Sequence, residues 1–314
     1  MFNGFALNNI QNAYVGSTPA QAIYLGSTLI WPTIPPHDYS RDYLTIVSLA
    51  NNNDIIYTGI PTAGTDTISV STDNGNTWTS YSVGIPGTTI ATLNNGDKLL
   101  LKNNGQNNPI QAQFSSTGNF NVEGNIMSLM YDDNFIGQTT LTCKPIALFS
   151  GCTTLISAEN LILPSTTLPN NAYYSMFSGC TSLTTPPELP ATTLAQRCYQ
   201  SMFENCTSLT TVPELSATTL ADSCYFEMFL GCTSLTTTPE LLATTLTDHC
   251  YYNMFLGCTS LNYIKCLATD ISANACTLNW VYDVAATGTF VKDANTTWPS
   301  GTSGIPSGWT VINA

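Results

Sequence analysis

Charge is what this chain has least of. Aspartate, glutamate, lysine and arginine make up only 9% of its 314 residues, against about 25% in an ordinary soluble domain. The exterior must instead be built from threonine, serine, asparagine and glycine, a surface suited to an extracellular particle or fibre. The net charge of −13 argues against nucleic acid, because affinity for phosphate backbones comes from counterion release at a basic patch. The seven basic residues, Lys98, Lys102, Lys144, Lys265, Lys292, Arg41 and Arg197, are scattered. Only two histidines occur, His37 and His249, which leaves little material for a catalytic triad. There is no G-x-S-x-G, no H-E-x-x-H and no phosphate loop. The expectation is therefore no enzyme activity, no catalytic residues, no cofactor and no metal.

Long apolar runs are also missing, so no membrane span is expected. The opening "MFNGFALNNIQNAYVG" lacks a basic segment followed by an apolar one. It predicts synthesis in a cytoplasm without export by the general secretory route.

What the chain does have is 43% hydrophobic residues, enough for folded domains, and eleven cysteines. Phe149, Phe177, Phe203, Phe229 and Phe255 each stand three residues before Cys152, Cys180, Cys206, Cys232 and Cys258, and the phrase recurs at a period of 26 after the first interval. A second cysteine series, Cys198, Cys224, Cys250 and Cys276, follows the first. A period of this length with framing leucines predicts a leucine-rich solenoid over 143–277. In "SLTTVPEL" the period of two predicts a short strand, with Leu209, Thr211, Pro213 and Leu215 inward and Thr210, Val212 and Glu214 outward. In "ATTLADSCYFEMF" Leu220, Cys224 and Met228 recur at i, i+4 and predict one or two helical turns.

Upstream, 37–142 carries short apolar runs such as "YLTIVSL", "TISVST" and "KLLLKN" between Asn-Gly-rich turns, the pattern of an all-β sandwich or barrel-like domain. Residues 1–36 hold a miniature echo, "YVGST" and "YLGST", whose two strand-like pieces are expected to pair as a hairpin. The segment is too small to fold alone. We expect it to be a docking arm, with Tyr14, Val15, Tyr24, Leu25, Ile30 and Trp31 as its contacts, joined through the stiff "WPTIPPHD" linker. Residues 278–314, with Trp280, Trp298 and Trp309 among glycine-rich turns, predict a β-rich cap over the last repeat. The whole is expected to be mainly β with short helices.

Three constellations carry possible chemistry. The two cysteine series lack the C-x₂₋₄-C spacing of zinc sites. In a stack they predict buried ladders of reduced thiols, with disulfides as the alternative and with Cys143 and Cys266, off both columns, as the better reactive thiols. Glu188, Glu214 and Glu240 fall on successive rungs, at a spacing near that of retaining glycosidases, but periodicity alone places them. A solvated face, or contact with a cation or a glycan, is the plainer expectation. The outward set Thr184, Pro186, Glu188, Thr210, Val212, Glu214, Thr236, Thr238 and Glu240 offers hydroxyls and carboxylates in an array that suits sugars.

"STDNGNTW", with Ser71, Asp73, Gly75 and Trp78, resembles the Asp-box of sialidases and other β-propellers. The resemblance implies a hairpin turn tied by Asp73. One copy does not make a propeller, and two arginines cannot supply a sialidase's three-arginine clamp. The repeat "MFxGCTSLTTxPELxATTLAxxCY" resembles the BspA-like class of leucine-rich repeats, and the flanking blocks resemble segments that accompany it in proteins of gut Bacteroidales and their phages. "YVGST…YLGST" is similar to anchoring stretches of phage tail and virion proteins. The resemblance implies a virion surface protein, made in the host cytoplasm and extracellular after release. Its arm would bind other virion proteins, as one chain or a homo-oligomer, and its solenoid a host-surface glycan or protein. A bacterial surface adhesin of the same repeat class and a purely structural capsid or tail decoration protein stay open as alternatives.

Overall fold

In a computed structural model the described residues are 37–59, 67–82, 87–103 and 112–314, with the backbone of four short strands within 14–31. The chain divides into two compact units, Met1–Asp38 and Tyr39–Ala314. Among the described residues no helix is long and apolar enough to cross a membrane.

In the first unit β1 (Tyr14–Val15) pairs antiparallel with β2 (Thr18–Pro19), and β3 (Ile23–Leu25) with β4 (Thr28–Trp31). Each copy of the echo therefore closes on itself, and among the described residues one copy does not pair with the other as expected. Register explains why: Val15 faces Thr18 and Leu25 faces Thr28. Only "GS" separates the partners in each copy, a separation that favours a tight hairpin. The side chains of the expected docking residues Tyr14, Val15, Tyr24, Leu25, Ile30 and Trp31 lie outside the described residues.

The second unit begins as β-sheet. Its strands are β5 (Leu44–Ser48), β6 (Asn53–Gly59), β7 (Thr67–Ser71), β8 (Thr79–Ser82), β9 (Thr88–Leu93), β10 (Lys98–Asn103), β11 (Ala112–Ser116) and β12 (Phe120–Asn125). A single α-turn, α1 (Ser128–Tyr131), precedes β13 (Leu155–Ile162). One sheet runs β13-β12-β5-β10-β7-β8 and another β11-β6-β9. Alternation sends Ile55 and Tyr57 of β6, Leu99 and Leu101 of β10, and Phe120 and Val122 of β12 into one core. The protein is thus mainly β with very little helix.

The pattern change at 142/143 is bridged by hydrogen bonds. β12 pairs antiparallel with β5 on one side and parallel with β13 on the other, so the first repeat continues the sheet. Phe114 of β11 packs tilted against Phe149, which stacks on Phe177, and the column continues through Phe203, Phe229 and Phe255 at centroid spacings of 5.6 to 5.9 Å. Phe114 has no place in the 26-residue period, yet it serves as the column's first member. A parallel column joins Tyr173, Tyr199, Tyr225 and Tyr251, passes to Trp280, 6.1 Å from Tyr251, and continues onto Trp298 at 5.4 Å. Stacked aromatic pairs add about 0.5–1.5 kcal/mol each beyond the area they bury.

The expected helical turns do not form in the repeat. Backbone N–H groups of Ser223, Tyr225, Glu227, Phe229 and Gly231 donate to carbonyls of the next rung at 2.8 to 3.2 Å. Those of Cys224, Phe226, Met228 and Leu230 donate three residues back within the rung. Ser223, Glu227 and Gly231 have φ of 57°, 56° and 71°, outside the right-handed helical region. The i, i+4 apolar pattern is real, since Leu220, Cys224 and Met228 are buried. A chain of turns, each shared with its neighbour, produces that pattern as well as a helix does.

The expected strand over "SLTTVPEL" is likewise only extended chain in the middle rungs. Leu209, Pro213 and Leu215 are buried as expected, whereas Thr211 is exposed. Proline at 187, 213 and 239 supplies no N–H, so a continuous ladder cannot form there. Isolated bridges such as Ser157↔Thr185 and Thr237↔Tyr263 remain. Regular parallel pairing returns at the end, where β14 (Tyr263–Cys266), β15 (Thr289–Lys292) and β16 (Thr310–Asn313) form a sheet. Trp280, fully buried, donates its indole N–H to the Gly304 carbonyl at 2.8 Å, and Trp309 donates to that of Ala285 at 2.7 Å. These bonds tie the last turns over the final rung.

Candidate functional site

The cysteine columns are interior. None of the eleven cysteines is in a disulfide, and all but Cys143 are buried. In the first column each Sγ–H donates to the phenylalanine carbonyl one rung earlier: Cys152 to Phe114, Cys180 to Phe149, Cys206 to Phe177, Cys232 to Phe203 and Cys258 to Phe229, at 3.0 to 3.1 Å. Burial pushes Cys152 and Cys258 up to about 12. In the second column burial raises Cys198 and Cys250 to about 12 and Cys224 well above its ordinary value. Cys276, less enclosed, is raised by burial as well. The expectation that Cys266 is reactive fails: it is fully buried in β14, and burial pushes it up to about 12. A nucleophile must be a thiolate. Cys143 alone is half-buried, against the small cluster of Met127, Met130 and Phe135.

The Asp-box-like segment forms the β7–β8 turn. Asp73 accepts from the Ser71 hydroxyl at 2.7 Å, from the Thr77 N–H at 2.9 Å and from the Thr77 hydroxyl at 2.6 Å. These donors, Thr77 foremost, lower its pKa to about 2. Trp78 closes the turn by donating to the Gly75 carbonyl at 3.1 Å. Both carboxylate oxygens are engaged by donors of its own turn.

Beside it lies a cluster that the sequence did not single out. Lys102 Nζ meets Asp133 at 2.6 Å and Asp132 at 3.0 Å, and lies 4.4 Å from the centre of the Trp78 ring. Tyr43 donates to Asp133 at 2.7 Å, and burial, then that carboxylate, push its phenol up to about 12. Desolvation pulls the Lys102 pKa down, and the two carboxylates more than offset it, leaving it above its usual value. Every charge here has a partner, and the cluster staples β10 to the segment after α1.

The outward flank of the repeats is where the expected recognition residues fall, with corrections. Thr184, Thr210, Thr236, Glu188, Glu214 and Glu240 are exposed. Pro186 and Thr238 are buried and Val212 is half-buried, so they do not form part of an open face. Without a regular strand the alternation that would turn them outward is lost. The glutamates edge a chain of three grooves. One, of about 340 Å³, lies between Pro213–Glu214 and Pro239–Glu240 and is floored by Val212 and Leu242. The next, of about 200 Å³, runs from Glu188 and Leu189 to Glu214 and Ser216. The third, of about 210 Å³, joins Glu188 and Pro190 to Glu159 and Leu163. Glu214 borders the first two and Glu188 the last two. The result is a trough crossing successive rungs.

The glutamates are not equivalent. Lys265 Nζ lies 2.9 Å from Glu240 Oε1, which sequence reading missed because the offset is 25, one short of the period. Among the described residues neither Glu188 nor Glu214 meets a basic side chain. Both stand exposed in similar surroundings, without the contrast of environments that separates an acid from a base in glycoside hydrolysis. Among the described residues no three His, Cys, Asp or Glu side chains converge on a metal-sized site.

No protein-family model matches this chain, and neither a curated protein nor a solved structure is significantly similar to it.

Proposed function

We propose that this chain is a non-enzymatic surface protein of a phage virion, fibre-like or tail-associated. In this reading the stacked 26-residue units are a BspA-like leucine-rich-repeat solenoid. Residues 1–36 dock onto other virion proteins, 37–142 is a spacer that also closes the first rung, and 278–314 caps the last. The solenoid binds a host-surface glycan or protein along its outward flank.

The observation that carries the reading is the trough itself. It repeats with the rungs, is edged by the exposed Glu188, Glu214 and Glu240, and rests on a backbone locked rung to rung by hydrogen bonds. Solenoids use such extended, rigid surfaces for binding, and a preorganised surface loses little entropy when it engages a partner. Mass spectrometry of purified virions is expected to contain this chain, and the full chain is expected to compete with particle adsorption to Bacteroidales cells. Absence from virions removes the virion assignment. Presence without competition removes the recognition role and leaves a decoration protein.

A further inference from the structure

We propose that β16 is an interaction edge on which a second copy of this chain adds its own β16, antiparallel, about a two-fold axis through Ile312. The inference concerns the end of the repeat stack and is independent of what the flank recognises.

In the order β14-β15-β16 the last strand has a neighbour on one side only. Thr310 donates its N–H to the Gly288 carbonyl at 2.9 Å, and Ala314 donates to that of Lys292 at 2.8 Å. Alternation along the strand then turns the N–H and C=O groups of Val311 and Asn313 to the open side, where such groups template another strand. The side chains agree. Ile264, Phe290 and Val311 lie in one row across the sheet. The first two are fully buried, whereas Val311 is 45% exposed, and Ile312 on the opposite face is 48% exposed. An edge that stays single is guarded by lysine, proline or a bulge. β16 has none of these: it pairs with β15 in unbroken register, and residues 294–314 hold no charged side chain.

That lack of charge selects the occupant. The chain carries a net −13, so two copies repel wherever acidic surface meets acidic surface. About a two-fold axis each residue meets its own symmetry mate or a close neighbour of it. Only an uncharged strand lies there without setting like charges opposite one another. Register points the same way. Centred on Ile312, Val311 of one copy opposes Asn313 of the other, so both open residues exchange hydrogen bonds. The two Ile312 side chains then meet across the axis as a close, non-hydrogen-bonded pair. Centred on Val311 instead, Asn313 would oppose Trp309, whose N–H already donates to the Pro306 carbonyl. The pairing joins the two end sheets into one and sets the repeat stacks end to end. A strand of four residues buries little area, so the association is weak and concentration-dependent.

Sedimentation velocity of the full chain over a range of concentrations tests this. A species of twice the 33.7 kDa chain mass is expected to grow with concentration. Asn313→Pro removes an outward N–H and leaves the bonds to β15 in place, and Ile312→Lys sets like charges on the axis. Each is expected to weaken the dimer about tenfold or more. Register is read separately by cross-linking, in a Cys143→Ser background. There Ile312→Cys is expected to form an intermolecular disulfide on mild oxidation, because the axis brings the two positions within bonding reach. Thr310→Cys, which opposes Ala314 of the other copy, is expected not to. A chain that stays monomeric at every concentration overturns the proposal and leaves the edge to a strand of another protein. So do dimers that persist undiminished in both variants, or a Thr310→Cys chain that cross-links as readily as Ile312→Cys.

Discussion

The thiol of Cys206 donates to the backbone carbonyl of Phe177, one rung earlier, at 3.1 Å. The same carbonyl accepts the N–H of Cys180 at 3.0 Å, so both its lone pairs are used. Cysteine suits this position because it is small and apolar enough to be buried, and its weak S–H donor finds an acceptor in the adjacent rung.

The first prediction concerns those thiols. Burial keeps the column protonated, so a thiol reagent at neutral pH is expected to leave the ten buried cysteines unmodified in the native protein and to modify Cys143 first. In denaturant all eleven should react. Rapid native labelling of Cys206 or Cys232, read by peptide mass spectrometry, would show that the rungs open.

Truncating the aromatic column at its middle should be costly. Phe203 is fully buried between Phe177 and Phe229, and Phe203→Ala is expected to destabilise the second unit by about 3–5 kcal/mol. Phe203→Leu should cost less, since it keeps most of the volume. Denaturant unfolding measures both, and equal midpoints for Phe203→Ala and wild type would refute the column's role.

Acid should loosen the β7–β8 turn late. Asp73 has a folded pKa of about 2, below the roughly 3.9 of an unfolded aspartate. Its contribution is therefore complete above about pH 4 and is lost as pH falls towards 2. Trp78 fluorescence should report the change in that window, and Asp73→Asn should abolish the dependence.

At the alkaline end Tyr43 carries the opposite sign. Its phenol titrates near 12 when folded and near 10 unfolded, so its stabilisation holds below about pH 10 and fades as pH rises through 12. Tyr43→Phe should remove that loss. Lys102→Met, which leaves Asp132 and Asp133 facing one another, is expected to cost roughly 1–3 kcal/mol, reduced because Asp133 is largely exposed. Thermal unfolding at neutral pH checks it.

Much of the fold was legible because a repeat is legible. Phe149 to Phe255 and Cys152 to Cys258 recur at fixed spacing, and inward columns follow from stacking. The Asp73 turn was equally readable, since its donors, Ser71 and Thr77, lie within four residues. The recognition face was read only in part. Thr184, Thr210 and the glutamates are exposed, but Pro186 and Thr238 are buried, because the prolines stop the segment from alternating as a strand.

The sequence by itself determined the period, the inward phenylalanines, tyrosines and cysteines, and the acidic, hydroxyl-rich exterior. Tertiary structure alone decided the backbone between them. Each N–H after Leu220 has a choice between its own turn and the carbonyl of the next rung, and an i, i+4 apolar pattern fits a helix and a chain of shared turns equally well. Only the neighbour, stacked close enough to accept every second bond, settles that choice. It likewise joined Phe114 to a column that the period does not contain, and set Lys265 on Glu240 while leaving Glu188 and Glu214 open.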